Sequence, residues 1–208
     1  MIDPAAHPLA SLLPPDTANQ LRERLQQKGV EWHFGATLDS AEQSGERLRA
    51  VLSDGEAIET DLILSAAGLV PNTQLAEKAG LSVSNGINTD RLMHTTDSHI
   101  YAIGDCAAVE GELFCYIEPI RRQAETIAAD LRGEHLPFET LPPLVRVKTP
   151  SFPLTICPPR KREGSLAVAH KTADSDRVDY LRDGELVGFV LSGKNAGNGM
   201  NLYRELFA

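Results

Sequence analysis

The run LILSAA at residues 62–67 constrains the fold most, because all six of its residues are apolar or small. A continuous run of this length between turn signals is typical of a strand covered on both faces. Amphipathic helices are predicted over 16–29 and over 119–132, where residues 120, 124, 127, 128 and 131 form an apolar face. Such strands and helices together predict an α/β chain.

The region after residue 143 has a different pattern of short strands. They are predicted over residues 144–148, 154–157, 165–170, 178–181 and 186–191. Asp183-Gly184 predicts a tight hairpin between the last two strands, and a final helix follows residue 199. The proline-rich segment 136–143 is predicted to be a linker. The C-terminal region is therefore expected to form a small α+β domain.

Composition narrows the class of protein. The chain has 208 residues, 42% of them hydrophobic and 24% charged, which argues against a disordered or collagen-like protein. Its net charge of −9 argues against nucleic-acid binding across the whole surface. No stretch approaches the roughly 18 apolar residues of a membrane span, and the N-terminus lacks signal-peptide features, so a cytoplasmic location is expected.

Charge and cysteine content bear on partners and metals. Residues 140–208 carry 10 basic and 7 acidic residues, a net charge of +3, which predicts an acidic partner for this region. The three cysteines include no Cys-x-x-Cys pair, and the histidines lack metal-ligand spacing. We therefore expect neither a disulfide framework nor a metal site.

The segment 101–105, Tyr-Ala-Ile-Gly-Asp, is the most informative for chemistry. A predicted strand ends at Gly104, where the missing side chain lets a ligand approach the backbone. Asp105 then presents a carboxylate that suits a polyol hydroxyl, and Cys106 follows it directly. The alternative is a plain strand followed by a helix-capping aspartate.

This motif and the upstream segment AGLVPNT, residues 67–73, resemble the two-dinucleotide-binding flavoprotein reductases over residues 15–135. The resemblance implies that Asp105 binds the ribityl chain of FAD, with Gly104 and Cys106 beside it. It also implies that the loop from Gly68 to Pro71 returns the chain from the NAD domain to the FAD domain.

The helix predicted from Pro119 adds a second contribution to this site. If its N-terminus faces the flavin, unpaired N–H groups and the helix dipole would stabilise reduced flavin, with Tyr116, Ile117 and Ile120 as contacts. Lys148 is a further candidate flavin contact. The alternatives are an ordinary amphipathic helix packed on a sheet and an exposed lysine at a strand end.

Both glycine-rich pyrophosphate fingerprints of the reductases are absent from the sequence. The chain is therefore expected to be the C-terminal half of such a reductase, with a partial FAD/NAD(P)-binding fold that needs a complementing N-terminal chain. The expected divisions are 1–70 in the NAD domain, 71–139 in the FAD domain and 140–208 as the small C-terminal domain.

The last 70 residues narrow the resemblance further. They lack the C-terminal His-Pro and Glu pair of glutathione-reductase-like enzymes, whereas VKTP at 147–150 and CPPR at 157–160 are similar to rubredoxin–NAD(+) reductases of hydrocarbon-degrading bacteria. This implies electron transfer from NADH or NADPH through FAD to rubredoxin. Docking of the acidic carrier is assigned to Arg160, Lys161 and Arg162; the alternative, which is the more common role of three adjacent basic residues, is a solvated loop. A ferredoxin or nitrite reductase flavoprotein subunit and a non-catalytic docking module stay open.

Overall fold

A computed structural model describes residues 1–160, 166–171 and 176–207. The elements before residue 67 are β1 (Ile2–Asp3), α1 (Pro15–Gln26), β2 (His33–Phe34), β3 (Leu38–Ser44), β4 (Arg47–Leu52) and β5 (Ala57–Thr60). Those that follow, up to residue 143, are α2 (Gln74–Lys78), β6 (Ile87–Thr89), β7 (Ala107–Val109), β8 (Glu112–Leu113) and α3 (Ile117–Asp130). The last are β9 (Val145–Val147), β10 (Leu154–Cys157), β11 (Leu166–Lys171), β12 (Asp176–Arg182), β13 (Glu185–Ser192) and α4 (Gly199–Phe207).

These elements form two compact units. The terminal unit consists of Met1–Ala66 together with Leu144–Ala208, and the central unit consists of Ala67–Pro143. Each unit has its own buried core.

A five-stranded antiparallel sheet organises the terminal unit, in the order β11-β12-β13-β10-β9. Because side chains alternate along a strand, Ile156 and Val190 face one side, whereas Cys157 and Phe189 face the other. Helix α1 packs on the first side and α4 on the second. The first core contains Leu13, Ala18, Leu21, Phe152, Leu154, Ile156, Val178, Tyr180 and Val190. The second contains Cys157, Phe189 and Leu191, packed against Leu202, Tyr203, Leu206 and Phe207.

Local sequence explains the ends of these elements. Helix α1 begins at Pro15, whose fixed φ suits a first helical position, and Gly29 with φ +88° lies beyond its end, close to the predicted bounds of 16–29. Asp183 and Gly184 both have positive φ, which confirms the predicted tight hairpin between β12 and β13. Among the described residues, no helix has the length and apolar composition needed to cross a bilayer.

The central unit is built around a small three-stranded sheet. β6 pairs with β7 in parallel, and β7 pairs with β8 in antiparallel orientation. Its core contains Met93, Ala102, Ala107, Val109, Phe114 and Phe138. Phe138 is 1% exposed, and its backbone N–H donates to the carbonyl of Arg91 at 2.6 Å. The segment predicted to be a linker, residues 136–143, is therefore anchored to the central unit by an aromatic side chain.

The predicted strand at 62–67 is also wrong. This segment is irregular, and Leu62 and Leu64 are 78% and 84% exposed. Within the described ranges no strand pairs with it, so its apolar side chains have no sheet to enter. The strand predicted to end at Gly104 forms only an isolated bridge, between Tyr101 and His94.

Candidate functional site

The segment Gly104–Cys106 forms a single 3-10 turn in the central unit. Gly104 has φ +81°, a left-handed conformation that glycine adopts at little cost. A Cβ built at Gly104 would lie 3.8 Å from Cδ1 of Ile120, which is an ordinary contact distance. Backbone conformation, rather than crowding, therefore requires glycine at the start of the turn.

Asp105 is exposed on this turn. In the part of the chain that the structure describes, no donor forms a hydrogen bond to its carboxylate. The charge of Asp105 adds to the effect of burial in raising the pKa of the nearby Cys115 thiol. An exposed carboxylate with open acceptor positions suits ligand hydroxyl groups.

Helix α3 begins in the same unit with an uncapped N-terminus. Its N-cap residue, Tyr116, is extended at φ −137° and makes no side-chain capping hydrogen bond. The first-turn N–H groups of Ile117 and Glu118 therefore lack a cap of this kind, and the helix dipole places positive potential there. Tyr116 and Ile117 are 38% and 76% exposed, and burial raises the pKa of the Tyr116 hydroxyl.

Two polar links join α3 to the segment that carries Asp105. At one end, the backbone N–H of Gly104 donates to Oε1 of Gln123 at 2.9 Å. At the other end, the hydroxyl of Tyr101 donates to Oδ2 of Asp130 at 2.6 Å. Neither Gln123 nor Asp130 is predicted from the sequence, because hydrophobic periodicity carries no signal for a polar residue on a buried helix face.

The buried face of α3 also differs from the predicted one. Pro119, Gln123, Thr126 and Ala129 are buried, whereas Leu131 of the predicted apolar face is 72% exposed. Within the described residues, the helix thus turns a partly polar face to its own unit and leaves much of its apolar stripe uncovered.

Asp130 is the centre of a titratable cluster. Besides Tyr101, its carboxylate contacts Nδ1 of His135 at 2.8 Å and Nε2 of His94 at 3.0 Å. The hydrogen bonds from Tyr101 and His135 hold the pKa of Asp130 below its usual value. The hydrogen bond to Asp130 raises the pKa of the Tyr101 hydroxyl, because ionisation of Tyr101 would place two negative charges side by side.

The remaining predicted site residues are distributed over both units. Gly68, exposed at φ +96°, and the half-buried Pro71 lie in the central unit, in the loop before α2. Lys148 is exposed and follows β9 in the terminal unit. Arg160 is exposed after β10, whereas Lys161 and Arg162 lie outside the described residues.

The structure thus brings Gly104, Asp105, Cys106 and Ile120 together around one turn, with Tyr116 and Ile117 at the start of α3. Among the residues that the structure describes, no cluster of three or more His, Cys, Asp or Glu side chains is arranged to hold a metal ion.

Two family models match the sequence. The model described as "Pyridine nucleotide-disulphide oxidoreductase" matches residues 1–129. The model described as "Rubredoxin binding C-terminal domain" matches residues 140–206. Together they account for both the Gly-Asp turn and the C-terminal sheet.

Curated relatives extend the likeness. A "Rubredoxin-NAD(+) reductase" from Alcanivorax borkumensis is 37% identical over 213 residues, which cover 99% of this chain and 54% of the relative. A "Nitric oxide reductase FlRd-NAD(+) reductase" from Vibrio vulnificus is 35% identical over 206 residues, with the same shares covered. The chain therefore spans about half the length of the curated relatives it matches.

Solved structures agree in fold. A ferredoxin reductase from Rhodopseudomonas palustris superposes with a TM-score of 0.86 at 27% identity, over 98% of this chain and 52% of that one. A putidaredoxin reductase, solved in covalent complex with putidaredoxin, has a TM-score of 0.84 at 24% identity, over 99% of this chain and 51% of that one. The predicted α/β flavoprotein class is confirmed by these neighbours.

Proposed function

The chain belongs to the pyridine nucleotide-disulphide oxidoreductase family, and we propose that it works in a reductase that passes electrons from NAD(P)H through FAD to rubredoxin. The names of the two curated relatives and the rubredoxin-binding model over 140–206 support this acceptor. The proposal concerns a whole reductase, because the matched relatives are about twice as long as this chain.

Asp105 carries the proposal. Its exposed carboxylate, presented by the left-handed Gly104, offers open acceptor positions for the ribityl hydroxyls of FAD. The uncapped N-terminus of α3 lies in the same unit and suits the electron-rich end of the isoalloxazine ring. The residues present fit this part of FAD, whereas the sequence has no glycine-rich loop for its pyrophosphate.

FAD supplies the redox chemistry when bound, because it takes two electrons as a hydride and releases them singly. The chain's own groups would bind and polarise it. Asp105 would accept hydrogen bonds from the polyol, and the first-turn N–H groups of α3 would stabilise negative charge on the reduced ring. Gly104, Cys106, Tyr116, Ile117 and Ile120 would line this part of the site, with Lys148 as a further contact.

The acceptor would dock on the C-terminal region. This region has a net charge of +3 in a chain of net charge −9, which would steer a small acidic carrier towards it. The exposed Arg160 follows β10 in this region. We assign docking to Arg160, Lys161 and Arg162.

A complementing polypeptide would supply the pyrophosphate loops. Leu62, Leu64, Leu69 and Val70 are between 65% and 93% exposed, which is more apolar surface than one short segment of a folded protein normally leaves in water.

The proposed division of the chain is 1–70 in the NAD domain, 71–139 in the FAD domain and 140–208 as the small C-terminal domain. The loop from Gly68 to Pro71 would be the crossing between the NAD and FAD domains. The proposed location is the cytoplasm, where NAD(P)H is available.

The test is flavin retention. The purified chain is incubated with FAD, desalted and scanned, alone and with the half of the Alcanivorax relative that it does not match. Retained flavin absorption in either sample supports the proposal. Asp105→Ala should then weaken FAD binding about tenfold or more, because one charge-assisted hydrogen bond is worth about 1.5–3 kcal/mol.

Glu125→Gln is the matched control, since Glu125 is an exposed carboxylate on α3. It should leave FAD affinity unchanged. Equal affinities for wild type and Asp105→Ala would remove the assignment of Asp105. Absence of flavin from both wild-type samples would instead favour a non-catalytic docking module.

A further inference from the structure

Gln123 occupies an unusual position for a polar residue. Its side chain is 0% exposed in the second turn of α3, and its Oε1 accepts the hydrogen bond from the buried N–H of Gly104 at 2.9 Å. Because Gly104 offers a donor, the amide must present its oxygen to the turn. The orientation of the side chain is therefore fixed by the turn that it binds.

The other end of this amide is unsatisfied. Among the described residues, Nε2 of Gln123 has no hydrogen-bond partner, although it is buried. A buried unpaired N–H is unfavourable. A methionine of similar length would fill the space without this cost, but it would leave the N–H of Gly104 unpaired. The amide of Gln123 thus satisfies the N–H of Gly104, while its own Nε2 has no partner among the described residues.

The bond links the two groups that the proposed function assigns to FAD. Asp105 follows Gly104 directly, and the uncapped first turn of α3 lies six residues before Gln123. Both elements belong to the central unit, and this hydrogen bond is the polar link between α3 and the residue that directly precedes Asp105. Since Gln123 has no exposed surface, it makes this link without reaching a ligand itself.

Resting on the proposed function, we infer that Gln123 is a positioning residue, which holds the carboxylate of Asp105 and the N-terminus of α3 at the separation that binding of the flavin requires. Electrostatic contacts depend on such preorganised spacing, because groups already in place need no rearrangement when the ligand arrives. Loss of the bond should therefore weaken FAD binding even though every contacting residue is retained.

The experiment uses the full 208-residue chain and two readouts. Amide hydrogen exchange at Gly104, followed by NMR without FAD, reports the bond itself. Quenching of flavin fluorescence reports FAD affinity. Gln123→Met, which lacks the acceptor, should exchange the Gly104 amide about tenfold faster and raise the FAD dissociation constant about tenfold. Gln123→Glu keeps an acceptor of the same length and should restore both values towards those of the wild type.

Thr126→Val is the matched control, because Thr126 is a buried polar residue one turn further along the same helix. It should lower stability without changing either readout. Wild-type exchange at Gly104 in Gln123→Met would overturn the inference, and so would a loss of FAD affinity no larger than that of Thr126→Val.

Asp105→Ala separates this inference from the proposed function. It should reduce FAD affinity while leaving exchange at Gly104 unchanged. If the wild-type chain takes up no FAD, either alone or with the half of the Alcanivorax relative that it does not match, the flavin assignment fails and the positioning role fails with it. The exchange data then show only whether the bond to Gln123 holds the turn.

Discussion

The C-terminal sheet and the central unit differ in how completely their apolar side chains are buried. The sheet of β9–β13 is covered by α1 on one face and α4 on the other, so both sets of inward side chains find partners within the terminal unit. The central unit has a smaller core and leaves Leu69, Val70, Leu75 and Leu131 at least 65% exposed. Within the described residues, both faces of the sheet are therefore covered by a helix of the same unit, whereas the central unit leaves several large apolar side chains exposed.

Thiol reactivity should show the largest difference between the regions. Cys157 is fully buried in the sheet, and burial raises its pKa to about 12, whereas Cys106 is partly exposed in the central unit. At pH 8 the thiolate fraction of Cys157 should be roughly a thousandfold below that of an unfolded cysteine, with pKa about 8.5. Labelling with a disulfide reagent, followed by peptide mapping, should modify Cys106 in the native chain and Cys157 only in urea. Rapid labelling of Cys157 in the native chain would contradict its burial between the sheet and α4.

Core truncation should show the next largest difference. Phe189→Ala removes a 0% exposed ring between the sheet and α4 and should cost about 3–5 kcal/mol of unfolding free energy. Leu64→Ala removes an 84% exposed side chain and should change it by less than about 0.5 kcal/mol. Urea titrations followed by circular dichroism would measure both. A large loss for Leu64→Ala would mean that residues 62–67 are packed in solution.

Glycine substitutions should distinguish crowding from backbone strain. A Cβ at Gly188 would lie 2.6 Å from the carbonyl oxygen of Cys157, so Gly188→Ala should cost about 3 kcal/mol. Gly104→Ala meets only the ordinary 3.8 Å contact with Ile120 and should cost about 1–2 kcal/mol through its positive φ. Asparagine, which tolerates this conformation, should recover part of the loss at position 104 and none at 188. Equal recovery at the two sites, measured by thermal unfolding, would refute the distinction.

Ionisation should give the smallest effect. The lowered pKa of Asp130 stabilises the fold above about pH 4, and this contribution is lost as the pH falls through the folded value. The raised pKa of Tyr101 stabilises it below about pH 10, and this contribution is lost as the pH rises through the folded value. Asp130→Asn should flatten both limbs of a plot of urea midpoint against pH. Glu125→Gln should leave them as they are, and matching profiles for wild type and Asp130→Asn would exclude the cluster as their cause.

The sequence predicted the C-terminal sheet well, because its alternation reflects contacts that the chain itself supplies. The predicted strand at 154–157 coincides with β10, and the predicted hairpin at Asp183-Gly184 follows from residues that accept positive φ. The run at 62–67 failed for the opposite reason. Its apolar pattern predicts a strand that is covered on both faces, but within the described residues no strand pairs with it.

Prediction of the candidate site divides in the same way. Gly104 and Asp105 were proposed from the sequence because a predicted strand end, a glycine and an acid are adjacent. Gln123 and Asp130 could not be found, since a hydrogen bond to a backbone N–H or a tyrosine hydroxyl leaves no periodic trace. Ile127 of the predicted apolar stripe of α3 packs against the core of the central unit, whereas Leu131 is 72% exposed, so the stripe covers that core only in part.

Phe138 determines where this chain can be cut. Its ring lies edge-on to Phe114 at 5.3 Å between centroids, and the guanidinium of Arg122 lies 5.0 Å from its centre. An excised central unit that ends at residue 136 would lose this ring and leave a cavity beneath Arg122. One that ends at residue 143 would keep the ring in its core. Limited proteolysis should therefore cleave within the exposed residues 132–137 before it cleaves next to Phe138, since the ring must leave the core before an enzyme can bind the bonds on either side of it.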